Sequence, residues 1–218
     1  MKKAKTQTIS KNNLQFITAI VLLLCSGTFF SWFSINTPFR QITNEVFENA
    51  TQMRICFILA LVFFIVGAII SVLISKNVSV RLRFILCALM LFTCFFSISM
   101  QIITFHFTNN YVLLYLSYAF LGGTASGIIS VPVVGVLNSR LKRKRYITTI
   151  IVFGCILTGS LLIGNIIKAL VDPETGDWRV VYTTIAIIIG TIVLISSFII
   201  KPTYDPYRKS MKIEEDRI

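Results

Sequence analysis

Six stretches of the chain contain no Asp, Glu, Lys or Arg: 14–35, 55–75, 84–105, 111–138, 146–167 and 180–200. Each holds about 20 residues or more, and at about 1.5 Å rise per residue that length crosses a hydrocarbon core about 30 Å thick. In lipid the backbone has no water to bond to, so a spanning segment is a helix or part of a closed barrel. Barrel strands are shorter and alternate apolar with polar positions. These runs are continuous and predict six transmembrane helices in one domain, 14–200. Residues 1–13 form a short polar end before it, and 201–218 a charged tail after it. Lys2, Lys3, Lys5 and Lys11 ahead of the first run resemble the start of a signal peptide. The run is too long for one and lacks a small-residue cleavage site, so it reads as a retained helix.

Polar and small residues interrupt the runs selectively. The fourth carries Gly122, Gly123, Ala125, Ser126 and Gly127, then Pro132 and Gly135. The fifth carries Gly154, Gly159, Ser160 and Gly164. Small side chains let membrane helices approach closely, which is the plain explanation of any one of these glycines. Hydroxyls are also present, among them Ser126, Ser130, Thr148, Thr149 and Thr158. They either line a water-filled path or bond back to their own helix.

The charges fix an orientation. Residues 1–13, 76–83, 139–145 and the tail from Lys201 hold 17 of the 21 Lys and Arg residues. The alternate segments hold Arg40, Arg54, Lys168 and Arg179. The positive-inside rule assigns the first set to the cytoplasm, so both termini lie there and the protein belongs to a cell membrane. Composition agrees: 55% of residues are hydrophobic and 14% charged, where a soluble domain has about a quarter charged. The net charge of +12 raises nucleic acid as a partner. The basic residues sit in short segments between apolar runs, however, and present no soluble basic face, so no nucleic acid is expected.

Little catalytic chemistry is on offer. All nine acidic residues fall outside the apolar runs, so no paired carboxylates sit at depth. Cys25, Cys56, Cys87, Cys94 and Cys155 lie within the runs or at their edges without metal-ligand spacing, and read as small apolar packing residues. The lone histidine, His106, excludes a histidine-built metal site. No Walker-type phosphate loop occurs. The expectation is a protein that is not an enzyme, with no metal and no cofactor.

Four places carry a resemblance. The first run has Gly27-Thr-Phe-Phe-Ser-Trp-Phe-Ser followed by Pro38. A short basic loop, Ser75-Lys76-Asn-Val-Ser-Val-Arg81-Leu-Arg83, joins the second and third runs. The Gly-rich fourth run enters Arg140-Leu-Lys-Arg-Lys-Arg145 and then the Gly-rich fifth. Before the sixth stands Gly176-Asp177-Trp178-Arg179-Val-Val-Tyr182. In this order the features resemble the N-terminal six-helix half of a major facilitator superfamily transporter of the oxalate/formate or monocarboxylate type. The loop after the second run departs from the family pattern. Ser75 replaces its acidic residue, Ser71, Val78 and Ser79 stand near its glycine positions, and only Lys76 and Arg81 carry over as a cytoplasmic gating loop.

The resemblance implies an all-α membrane protein that is half of a major facilitator fold, built as two three-helix repeats. Gly27-Thr28 with Pro38 and Gly123-Thr124 with Pro132 echo such a repeat. Helices one and four would face the substrate cavity, lined by Ser26, Thr28, Trp32, Asn36, Thr124 and Ser130. Asp177, Trp178 and Arg179 would form an outer-loop motif supporting helix six. The family works with twelve helices, so the implied partners are a small-molecule solute, the lipid bilayer, and either a second copy or another six-helix chain. Two other readings fit six helices: a solute-binding membrane subunit of another transporter class, and a non-transporting structural or remnant protein.

Overall fold

The computed structural model describes residues 2–31, 48–108, 111–141, 145–170 and 178–200. Among them every regular element is a helix: α1 (Lys2–Phe29), α2 (Glu48–Leu73), α3 (Val80–Thr108), α4 (Tyr111–Arg140), α5 (Arg145–Leu170) and α6 (Trp178–Ile199). A single 3₁₀ turn, Ile74–Lys76, extends α2. Five helices, α2 to α6, are long and apolar enough to cross a membrane, and the apolar part of α1 covers Asn13–Phe29. Several such helices in one chain mark a multi-pass membrane protein. Their outward faces agree, since Ile58, Ile65 and Ile69 of α2, Ile150, Phe153, Leu157 and Leu161 of α5, and Ile187, Ile195 and Phe198 of α6 are all exposed. Water would not tolerate apolar faces this extensive; lipid would.

The helices outrun the charge-free stretches, because a charged residue in the first or last turn reaches the polar interface without leaving the helix. The loop expected over 76–83 is accordingly shorter. α3 begins at Val80, where the Ser79 hydroxyl accepts a hydrogen bond from Leu82 N (3.3 Å), as an N-cap does. Arg81 and Arg83 therefore stand on the first turn of α3. At the other extreme, α1 stops at Phe29, inside the stretch 14–35. Its last turn tightens through Phe30 N to Gly27 O (3.0 Å) and Ser31 N to Thr28 O (3.1 Å). Those i to i−3 bonds consume carbonyls that an ongoing α-helix would use.

Two layers result. α5, α1, α4 and α2 follow one another side by side, and α3 and α6 pack together behind them, α3 also against α4 and α6 also against α1. The closest contacts are made where side chains vanish. A Cβ on Gly127 would run into Phe64 O, one on Gly67 into the Thr124 backbone, and one on Gly123 would come within 2.7 Å of Ala60 O. Between α1 and α5, Gly27 meets Ile156 O and Gly159 meets Leu24 O in the same way. Gly135 and Gly154 differ: nothing stands within 4 Å of a Cβ built there.

Helix α4 is the hub and it is irregular. Tyr115–Gly122 is π-helical, and the α-helix resumes at Gly123. Pro132 lies further along without ending it.

Candidate functional site

Three of the residues expected to line a cavity are buried inside the bundle. Ser26, Thr28 and Thr124 are each about 5% exposed or less, and Ser130 is half-buried. Three of their hydroxyls bond to their own helices: Thr28 Oγ1 to Cys25 O (2.6 Å), Thr124 Oγ1 to Phe120 O (2.5 Å) and Ser130 Oγ to Gly127 O (2.7 Å). Thr124 also lies where α4 meets α2, with its backbone against Gly67. Trp32, Asn36 and Asp177 lie outside the described residues, and of Lys76 only the backbone is described.

The polar groups that tie helices together gather toward the two ends of the bundle. At the basic end, Arg83 Nη1 donates to Ser71 O (3.1 Å) and Ser71 Oγ (3.3 Å), while Ser71 Oγ donates to Ile128 O (2.9 Å). One guanidinium thus joins α3 to the last turn of α2, and the same serine joins α2 to α4. A cation at a helix C-terminus also meets the negative end of the helix dipole. Arg81 does something else: it is exposed, with its guanidinium 5.2 Å from the Phe198 ring centre of α6. A second tie at this end runs from Arg140 Nη2 to Gln15 Oε1 (3.2 Å) and from Gln15 Nε2 to Ile199 O (3.4 Å), linking α4, α1 and α6.

At the opposite end, Gln101 Nε2 donates to Ser97 Oγ and Ser117 Oγ (2.9 Å each), Tyr115 bonds Gln52, and Ser99 Oγ donates to Arg179 O (3.0 Å). Trp178 opens α6 as a buried residue, while the Arg179 side chain is exposed. Deeper in, the Tyr118 hydroxyl donates to Phe29 O (2.6 Å), capping α1 where it stops, and the two rings stack with centres 4.7 Å apart.

The sequence reading passed over Arg83, Ser71 as a partner, Gln15, Gln101 and Tyr118. One signal would have found some of them: in a helix apolar all round, the inward face is marked by small and polar residues. Arg83, Cys87, Cys94, Ser97 and Gln101 follow helical spacing along α3, and all except the half-buried Ser97 are buried.

Among the described residues no group of three or more His, Cys, Asp or Glu side chains could hold a metal ion. A groove of about 280 Å³ lies between α4 and α5, lined by Val134, Asn138, Thr148, Thr149, Val152 and Phe153. None of the expected cavity residues lines it. The chain matches no protein-family model, and a search of curated proteins finds no significant relative.

Proposed function

We propose that the chain is a six-helix half of a major facilitator-type transporter, moving a small solute by alternating access with a second six-helix unit. The observation that carries this reading is a symmetry of packing. Exchange the first three helices for the last three, so that α1, α2 and α3 trade places with α4, α5 and α6. The pair α1–α5 then becomes α4–α2, and α3–α4 becomes α6–α1, while α1–α4 and α3–α6 map onto themselves. All of these are pairs in contact. The close glycine approaches follow the same exchange, Gly27 and Gly159 on α1–α5 answering Gly123, Gly127 and Gly67 on α4–α2. Nested three-helix repeats of opposite direction are how halves of this transporter class are built.

In this reading the middle of the four-helix layer, α1 and α4, faces the second unit and the solute. The buried hydroxyls of Thr28 and Thr124 then belong to a closed path, and α2 and α5 flank it. The test is the mass of the protein in native-lipid particles, with co-purifying chains identified. A dimer, or a complex with another six-helix chain, is the expected result. A strict monomer would remove alternating access by this route.

The own-helix bonding of the candidate hydroxyls favours a second reading, a non-transporting packed bundle. Substituting Ser130→Cys and labelling with a membrane-impermeant thiol reagent separates the two. Labelling from one side beyond the wild-type background supports a path, and protection from both sides supports the packed bundle.

A further inference from the structure

Helix α5 is held by little of its own chain. It packs closely on α1, where Gly159 meets Leu24 O, yet only 11% of its spanning stretch is buried, the smallest share among the five spanning helices. The face turned away from Gly159 carries Gly154, Thr158, Leu161 and Asn165, all exposed. At about 100° per residue these four lie within about 60° of one another. Thr158 stands at the middle of the charge-free run 146–167, and its hydroxyl donates to none of the described residues. Asn165, one turn before the end of that run, is the one exposed amide among the described residues of the charge-free runs. The other flank of the layer differs. Every exposed residue of α2 from 55 to 73 is Ile, Leu or Val. Lipid tails suit that flank, but they offer a hydroxyl or an amide no hydrogen-bond partner, and such a placement is strongly disfavoured.

Orientation and symmetry say what fits this face. The alternation of basic segments sets every copy the same way round in the membrane, so a closed pair has its two-fold axis along the membrane normal. Two α5 helices meeting at that axis run parallel, and each residue on the seam faces its own counterpart. The four residues suit that geometry. An amide and a hydroxyl each donate and accept, so Asn165 and Thr158 are complementary to themselves. Nothing stands within 4 Å of a Cβ built on Gly154, and its missing side chain lets a second backbone come close. Leu161 fills the space between the two polar positions. The spacing of 4, 3 and 4 residues is that of a left-handed helix pair crossing at about 20°, with a seam about 16 Å long.

We propose that the outward face of α5 is a contact with a second copy of this chain, in which Gly154, Thr158, Leu161 and Asn165 of two parallel helices meet. Asn165 donates to and accepts from its counterpart, and the Thr158 hydroxyls bond across the seam. The contact needs the membrane setting but not the transporter reading, whose second unit lies against α1 and α4. The two stand or fall separately.

The experiment places the photo-cross-linking residue p-benzoylphenylalanine in the full chain, in native membranes, at one of three positions. These are Leu157 beside the seam, Ile65 on the outward face of α2, and Gly135, open on α4. A covalent dimer from Leu157 and none from Ile65 is expected. A dimer from Gly135 without one from Leu157 would overturn the α5 contact and spare the transporter reading, whereas a dimer from Leu157 alone supports the contact and not that reading. Energy transfer between labelled chains, followed as added lipid dilutes them, measures the strength of pairing. N165L changes an exposed position at similar volume and should weaken pairing about threefold to thirtyfold, the range of one interhelical polar contact in a membrane. G154L should abolish pairing while the single chain keeps its thermal midpoint, because within the chain the new side chain meets open space. Pairing unchanged in both variants overturns the proposal, as does a Leu157 cross-link to a different protein.

Discussion

Arg81 and Arg83 stand two positions apart on the first turn of α3, and their surroundings are opposite. Arg83 is 6% exposed and donates twice to Ser71, while Arg81 lies in the open beside Phe198. Hydrogen bonds from a charged donor contribute about 1.5–3 kcal/mol each, whereas an exposed cation on an aromatic face contributes about 0.5–1 kcal/mol. R83A should therefore lower the thermal midpoint in detergent well below that of R81A, which should stay near wild type. Tyr118 offers a finer probe. Y118F keeps the ring stacked on Phe29 but leaves a buried carbonyl at the end of α1, at a cost of about 1–3 kcal/mol by the same measurement. At this scale the sequence said least. It supplied the basic residues of the 76–83 segment but not their directions, because two steps along a helix rotate a side chain by about 200°. Lipid also hides the inward face, since the outside of a membrane helix is as apolar as its inside.

Elements were far more legible. Length and freedom from charge locate a spanning helix whatever it packs against, and each apolar run after the first lies almost wholly within one helix. What the runs could not locate is where α1 stops. Nothing in the stretch 14–35 breaks an apolar run at Phe29, and the carbonyl left where α1 stops is taken up by Tyr118, 89 residues away. Glycines show the same division. Their enrichment in the fourth and fifth runs was visible, but which of them carry contacts was not. G127A and G159A should push helices apart against backbone carbonyls, which are not able to rotate away, and should destabilise by about 1–3 kcal/mol as overpacking does. G135A and G154A meet open space and should be neutral or slightly stabilising, by up to about 1 kcal/mol, through helix propensity. Thermal unfolding of the four variants side by side measures the contrast.

For the molecule as a whole, orientation is the property the sequence addresses most directly, through the alternation of basic segments. Reporter fusions at the two termini should both respond on the cytoplasmic side, and opposite responses would break the six-crossing count. The pairing of helices was not legible in the same way. It depends on which small residue meets which carbonyl across the bundle, and hydropathy carries no such information.

The π-helical segment of α4 has a further consequence. A segment closing its hydrogen bonds over a longer ring holds one residue more than an α-helix of the same course. It therefore works as a vernier between two rulers. Below it, Gly123 and Gly127 are phased to meet α2; above it, Tyr115 and Ser117 are phased to meet Gln52 and Gln101. Were the same residues wound as a regular α-helix, the upper end would turn by about 100° relative to the lower. One set of contacts could then be kept only by surrendering the other. The spare residue lets the two halves of one helix be tuned by substitution separately, each leaflet to its own neighbours.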